Sequence, residues 1–230
     1  MPETTERTLN HFAVVQFTKP FWALPRDEKA RVHAAWLDGL RGAARKVDIY
    51  QVFPTEHAAD VMVWSALEAD DPAAGFEFFD AFARATNPVR QYLKLSNTLW
   101  GYTRPSQYSK AQRSPQEMDP FDAQRKRYLT IYPFVKTVDW YLLSRDVRQG
   151  MMNEHIRVGK QYPEILQLLL YSFGVQDQEF VVVYEMDDLR QFSDLVADLR
   201  AVEGRKYTER DTPLHTALWR PPEETLALFR

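Results

Sequence analysis

Apolar and polar positions alternate with two different periods along this chain, and the periods switch in a repeating order. HFAVVQF (11–17) is a strand-forming run. From Asp27 to Ala44 the residues Ala30, Val32, His33, Trp36, Leu37 and Leu40 fall near helical spacing. VDIYQVF (47–53) and DVMVWSAL (60–67) predict two strands around a polar turn. FEFFDAFARA (76–85) predicts a second helix and YLKLSNTLWGY (92–102) a further strand. This order, βαββαβ, is the ferredoxin-like arrangement. A stretch rich in Pro, Ser, Gln and charge follows, RPSQYSKAQRSPQEMDPF (104–121), with no apolar period. It is long for a structureless connection inside one compact unit, so it reads as a domain joint or a functional loop.

The pattern then returns. RYLTIYPFVK (127–136) predicts a strand, SRDVRQGMMNEHIRV (144–158) a helix, and ILQLLLYSFG (165–174) and QEFVVVYEM (178–186) two strands. LRQFSDLVADLRAVE (189–203) predicts a helix, and a last strand lies within 205–218. The halves also echo in letters: FTKPFWALPRDEKAR (17–31) and FVKTVDWYLLSRDVR (134–148) share Phe, Lys, an aromatic, Leu and Arg-Asp about 118 residues apart. The expectation is an α+β fold of two tandem ferredoxin-like halves, 1–103 and 127–230, joined by a linker at 104–126. Their sheets would pack face to face or close into a dimeric α+β barrel, which hides strand edges.

Composition narrows the chemistry. The 230 residues are 45% apolar and 27% charged, enough for a packed core. Lys plus Arg number 29 against 32 Asp plus Glu, a formal charge of -3, which argues against nucleic acid as the main partner. There is no cysteine, hence no disulfide, thiolate metal site or cysteine nucleophile. The first residues lack a secretion-signal pattern, and no apolar run approaches the roughly 18 residues of a membrane span. A soluble, cytoplasmic protein is expected. Phe, Tyr and Trp (14, 11 and 6) make up 13% of the chain, a composition that suits a large flat ligand but more commonly marks an ordinary β-rich core.

Three segments carry candidate chemistry. In its predicted helix His155 lies on the stripe of Val147, Met151 and Val158; it is either a hydrogen-bonded core histidine or a neutral imidazole ligand such as haem iron takes. Along TIYPFVK, Tyr132, Phe134 and Lys136 share one face. Tyr132 and Lys136 lie on the order of 13 Å apart, the span of one side of a porphyrin. The plain alternative is a packed tyrosine and a solvated strand end. Pro133 supplies no ladder donor, so this strand is expected at an edge or with a bulge. In ILQLLLYSFG, Gln167 is the lone strongly polar side chain, either structural or aimed at a ligand. No phosphate-cradling glycine loop, nucleophile elbow or H-E-x-x-H is present. Asp70–Asp71 and Asp187–Asp188 stand where turns or helix starts are expected and read as caps.

Taken in order, YPFVK, DWYLL (139–143), RQGMMNEH (148–155) with G-K-x-Y (159–162), YSFGVQDQEFVVVYE (171–185) and YTERDTP (207–213) resemble the chlorite dismutase-like haem protein family. The resemblance lies nearest its coproheme decarboxylase branch and is dense over 127–213. It implies two ferredoxin-like halves, haem in the C-terminal half and a homopentameric ring. It implies His155 as axial iron ligand, Tyr132 as catalytic tyrosine and Lys136 as a propionate holder, with Thr212 as a further propionate contact. Gln167 would stand in the distal pocket, where chlorite-converting members carry arginine; a spacing one residue shorter makes Leu168 the alternative match. The activity so implied is haem biosynthesis: hydrogen peroxide-dependent oxidative decarboxylation of iron coproporphyrin III to protohaem (haem b) through a tyrosyl radical. The porphyrin would be substrate and redox cofactor together. A chlorite-decomposing or general haem peroxidase, and a non-catalytic haem-binding ring protein, are the alternatives. Gln16-Phe17-Thr18-Lys19 replaces the Tyr-Pro strand in the N-terminal half, so one site per chain is expected.

Overall fold

The computed structural model describes residues 7–105, 107–108 and 114–230; part of the 104–126 linker thus lies outside the described residues. The first half runs β1 (Thr8–Phe17), α1 (Lys19–Trp22), α2 (Arg26–Ala43), β2 (Lys46–Gln51), β3 (Val61–Glu68), α3 (Ala74–Thr86) and β4 (Leu93–Thr103). The second runs β5 (Tyr128–Lys136), α4 (Val138–Leu142), α5 (Arg145–Gly159), β6 (Leu166–Tyr171), β7 (Phe180–Met186), α6 (Leu189–Arg200), β8 (Thr208–Arg210) and β9 (His215–Trp219). A terminal helix, α7 (Pro222–Ala227), closes the chain.

Within each half the strands take the same order. It is β4-β1-β3-β2 in the first and β9-β5-β7-β6 in the second, antiparallel throughout. The halves join twice, β4 to β6 and β2 to β9, so eight strands form a closed ring with β8 added beside β5. Closure leaves neither half an open edge, the problem that a lone four-stranded sheet must otherwise solve.

Alternation along each strand divides the core into layers. Phe12, Val14, Tyr50, Met62, Trp64, Leu129, Ile131, Leu168, Leu170, Val181 and Val183 point into the ring. On the outside of the first half, Leu9, Ala13, Val15, Ile49 and Val63 pack under Trp36, Leu37 and Leu40 of α2 and Phe78 and Phe82 of α3. On the outside of the second half the layer is thinner: Ile165, Tyr184, Met186, Phe192 and Leu195.

β5 meets the sequence expectation for Pro133 in its second form, an irregular strand and not an edge. The strand is central, paired with β7 from Tyr128 to Phe134. On its other side β9 pairs as far as Ile131 and β8 begins at Val135, so Pro133 falls where one neighbour gives way to the next and no ladder bond is lost. The irregularity expected of the strand is present as a register shift at Val135–Lys136.

Candidate functional site

The outward face of β5, β7 and β6 is ordered in three cross-strand rows by the pairing register. They are Thr130–Tyr184–Gln167, Tyr132–Val182–Leu169 and Phe134–Phe180–Tyr171. Phe173 continues the last row, its ring against Phe180 at 5.0 Å and Tyr141 at 6.2 Å. A helix covers the matching face of the first half tightly: α2 buries His33, Trp36, Leu37 and Leu40. α5 buries Met151 alone. Leu169 is accordingly 43% and Phe173 44% exposed, although both are large apolar residues on a sheet face with a helix in front of it. The second half thus keeps an exposed apolar and aromatic surface where the first has a closed core.

His155 stands on α5, one turn beyond Met151, half-buried and with no hydrogen bond to any described residue. Burial, reinforced by the positive charge of Lys136, lowers its pKa, so the ring is a neutral imidazole with a nitrogen lone pair to offer. Tyr132 is half-buried, its ring stacked on Tyr184 with centroids 6.3 Å apart. Burial first, then Tyr184, pushes its pKa far up, which keeps the phenol protonated. Lys136 is no solvated strand end: Nζ donates to the Gly204 carbonyl at 3.1 Å and lies 4.4 Å from the centre of the Trp140 ring. Burial, then Arg205, lowers its pKa to about 8. Electrostatic contact links Lys136 to both His155 and Arg205, and Tyr132 to Asp211 and Arg200. These residues, from β5, α5, the end of α6 and the segments on either side of β8, therefore lie within electrostatic reach of one another.

The other two sequence candidates sit differently. Gln167 is exposed and shares the outward face, but its row is that of Tyr184; the β6 residue in the row of Tyr132 is Leu169. Leu168, the alternative, points into the ring and is buried. Gln167 is instead bridged through its backbone to Gln116 and Met118 of the linker. Thr212 lies in the exposed loop between β8 and β9, next to Asp211, which pairs with Arg200 and Arg205. Sequence reasoning missed Trp140, Tyr184 and Arg205. Tyr184 was recoverable from its parity with Val182 on a strand already predicted; Arg205 lies in a polar run that any solvated surface would produce.

Acid pairs behave as capping groups: Asp188 accepts from the Arg190 backbone at 2.8 Å at the start of α6, and Asp71 from Ala73 at 2.8 Å. Among the described residues no helix is long and apolar enough to cross a membrane.

Residues 26–219, from α2 through β9, match the family model described as chlorite dismutase. The chain belongs to the chlorite dismutase family. Among curated proteins, 173 residues are 29% identical to a coproheme decarboxylase of Mycolicibacterium smegmatis, taking in 73% of this chain and 70% of that protein. Another 28% identity over 157 residues is to a coproheme decarboxylase of Staphylococcus saprophyticus, 64% of this chain and 62% of that one. Among solved structures, a variant chlorite dismutase of Candidatus Nitrospira defluvii superposes with a TM-score of 0.83 at 21% identity, over 98% of this chain and 96% of the other. The chlorite dismutase fold therefore accounts for the ring and for both of its layers.

Proposed function

We propose that this protein binds iron coproporphyrin III between α5 and the outward face of β5, β7 and β6, and decarboxylates it with hydrogen peroxide. The observation that carries the reading is a half-buried neutral imidazole, His155, without a hydrogen bond to any described residue, beside an exposed apolar face that also presents Tyr132 and Lys136. The donor set fits the group: one imidazole for iron, flat apolar surface for a macrocycle, cations for its carboxylates. Two relatives named coproheme decarboxylase support the substrate. When bound, the iron porphyrin supplies the one-electron chemistry with peroxide.

The chain's own residues do the rest. His155 holds the iron from the helix side. Lys136 fixes one propionate by a charge-assisted hydrogen bond, so that a reactive tyrosine meets a single carbon–hydrogen bond. Tyr132, protonated because it is buried, would pass the hydrogen atom of its O–H to the peroxide-derived oxidant and recover one from that propionate side chain, whose remaining electron goes to the same oxidant as carbon dioxide leaves. In each round one propionate, one hydrogen peroxide and one proton become one vinyl group, one carbon dioxide and two waters; two rounds give haem b. Thr212 is assigned a further propionate and Gln167 the rim of the open side. A homopentameric ring and a cytoplasmic location belong to the same reading.

The test is to mix the protein with iron coproporphyrin III and peroxide and follow the porphyrin masses. The parent should form haem b through a singly decarboxylated species. Tyr132→Phe should bind with an unchanged Soret band and form none. A parent that binds coproheme without converting it, or a Tyr132→Phe variant as fast as the parent, overturns the proposal. Oxygen release from chlorite would favour the second reading, suggested by the chlorite dismutase fold itself; Gln167 and Leu169 offer no cation for that chemistry.

A further inference from the structure

Arg148 is placed where the proposed decarboxylation does not yet use it. It stands on α5 seven residues before His155, two turns away on nearly the same helix face. Its side chain is half-buried, and Nε is fully buried with no hydrogen-bond acceptor. No carboxylate pairs with it among the described residues, although other buried or half-buried cations of this chain have such partners, Arg125 with Asp48 and Arg205 with Asp211 among them. An orphaned buried guanidinium N–H is costly, so its retention needs a compensating acceptor. Tyr141, which feels the Arg148 charge, does not supply it: its hydroxyl donates to Glu179 at 2.6 Å.

We propose that Arg148 forms a second carboxylate-binding subsite, at the Tyr141–Phe173 end of the exposed surface, which takes a propionate other than the one held by Lys136. The inference rests on the coproheme reading and deepens it. Iron coproporphyrin III carries four propionates, whereas a single ammonium at one end of that surface grips one. A guanidinium binds a carboxylate through two parallel N–H···O bonds, which fixes the orientation of a flat ligand about an axis through the iron as an ammonium does not. Arg148 is therefore a positioning residue: it decides which propionate meets Tyr132.

The experiment titrates apoprotein with iron coproporphyrin III and, separately, with iron-free coproporphyrin III, following the Soret band and the porphyrin fluorescence. Wild type, Arg148→Met, Arg148→Lys and His155→Ala are compared, with melting curves of each apoprotein. Arg148→Met should bind both porphyrins about tenfold more weakly, the loss of a charge-assisted bond. Arg148→Lys should recover part of that loss. The Arg148→Met apoprotein should melt no lower than wild type, because no hydrogen bond or ion pair to a described residue is removed and the apolar stem is kept. His155→Ala should alter the iron spectrum while leaving iron-free binding close to wild type. Affinity of Arg148→Met within twofold of wild type overturns the subsite. So does a lower melting temperature in both Arg148 variants, which would make the residue structural. A wild type that binds neither porphyrin overturns the coproheme reading itself, and the subsite with it.

Discussion

Residue by residue, the site candidates legible in the sequence were those fixed by strand parity or helical spacing. Tyr132 and Lys136 share an outward face because their separation is even, and His155 shares a face with Met151 because four residues make about one turn. Gln167 follows the same parity rule and does face outward, yet parity is silent on which row of the sheet a residue joins; that is set by pairing with β7, which gives the place beside Tyr132 to Leu169. Lys136 yields a pH prediction. Its amine is held down to about 8, so below that value it is a cation able to hold a carboxylate. Affinity for iron coproporphyrin III should weaken as pH rises beyond about 8, and Lys136→Met should be weaker but flat across the same range; parallel slopes for the two would count against the pairing. His11 yields another. It is buried against Phe78 and Phe82, and burial lowers its pKa from 6.5 to about 4. Its folded-state value is depressed, so as pH falls below 6.5 the unfolded chain takes up a proton that the folded one refuses. The stability lost by pH 5 is about 2 kcal/mol. His11→Phe should flatten the decline in melting temperature between pH 7 and pH 5; an equally steep decline would assign it elsewhere.

At the scale of elements, the change of hydrophobic period located seven strands of the ring and gave the last only as lying within 205–218, where the structure has both β8 and most of β9, while α1, α4 and α7 went unread. Those helices are four to six residues long, too short for a period to register, and α1 and α7 carry proline in their first turn. The linker also proves more engaged than its composition implied. Residues 116–118 bridge β6, and the Gln116 side-chain amide reaches the carbonyls of Gly159, Tyr162 and Ile165 at 3.3, 2.9 and 3.2 Å. Those carbonyls belong to the end of α5 and the turn after it, where helical partners have run out. With Met151 the sole buried side chain of α5, this amide is a main restraint on the helix that carries His155. Gln116→Ala should cost about 1 kcal/mol and speed amide exchange in residues 156–166 while leaving α6 as protected as before. Uniform loss of protection across both helices would show that the amide contributes to general stability instead.

For the whole molecule, the two halves are held together by more than their shared strands. Asp48 on β2 and Glu185 on β7 point into the ring from opposite halves, and Arg125 of the linker lies between them. Its Nε is 3.0 Å from Asp48 and 3.7 Å from Glu185, and its guanidinium lies over Trp64 at 4.2 Å. Tyr50 donates to Glu185 at 3.3 Å. Nothing in the letters marks Arg125 as buried, since it sits in the most polar stretch of the chain; only closure of the ring brings an acid from each half to one end of the same interior. Burial raises Glu185 to about 7 against the pull of Arg125, so folding favours its protonated form, and its contribution is fullest at low pH and declines as pH rises towards about 7. Removing the cation exposes that dependence. Arg125→Met leaves two buried carboxylates facing one another, a loss of about 3–5 kcal/mol near pH 8. Near pH 5 Glu185 takes up a proton and the repulsion disappears, so the loss should shrink. Denaturant unfolding of both proteins at the two pH values measures it, and an equal loss at both would mean that Arg125 stabilises the ring through its packing on Trp64 and its bonds to the Asp119 and Pro120 carbonyls, not through its charge.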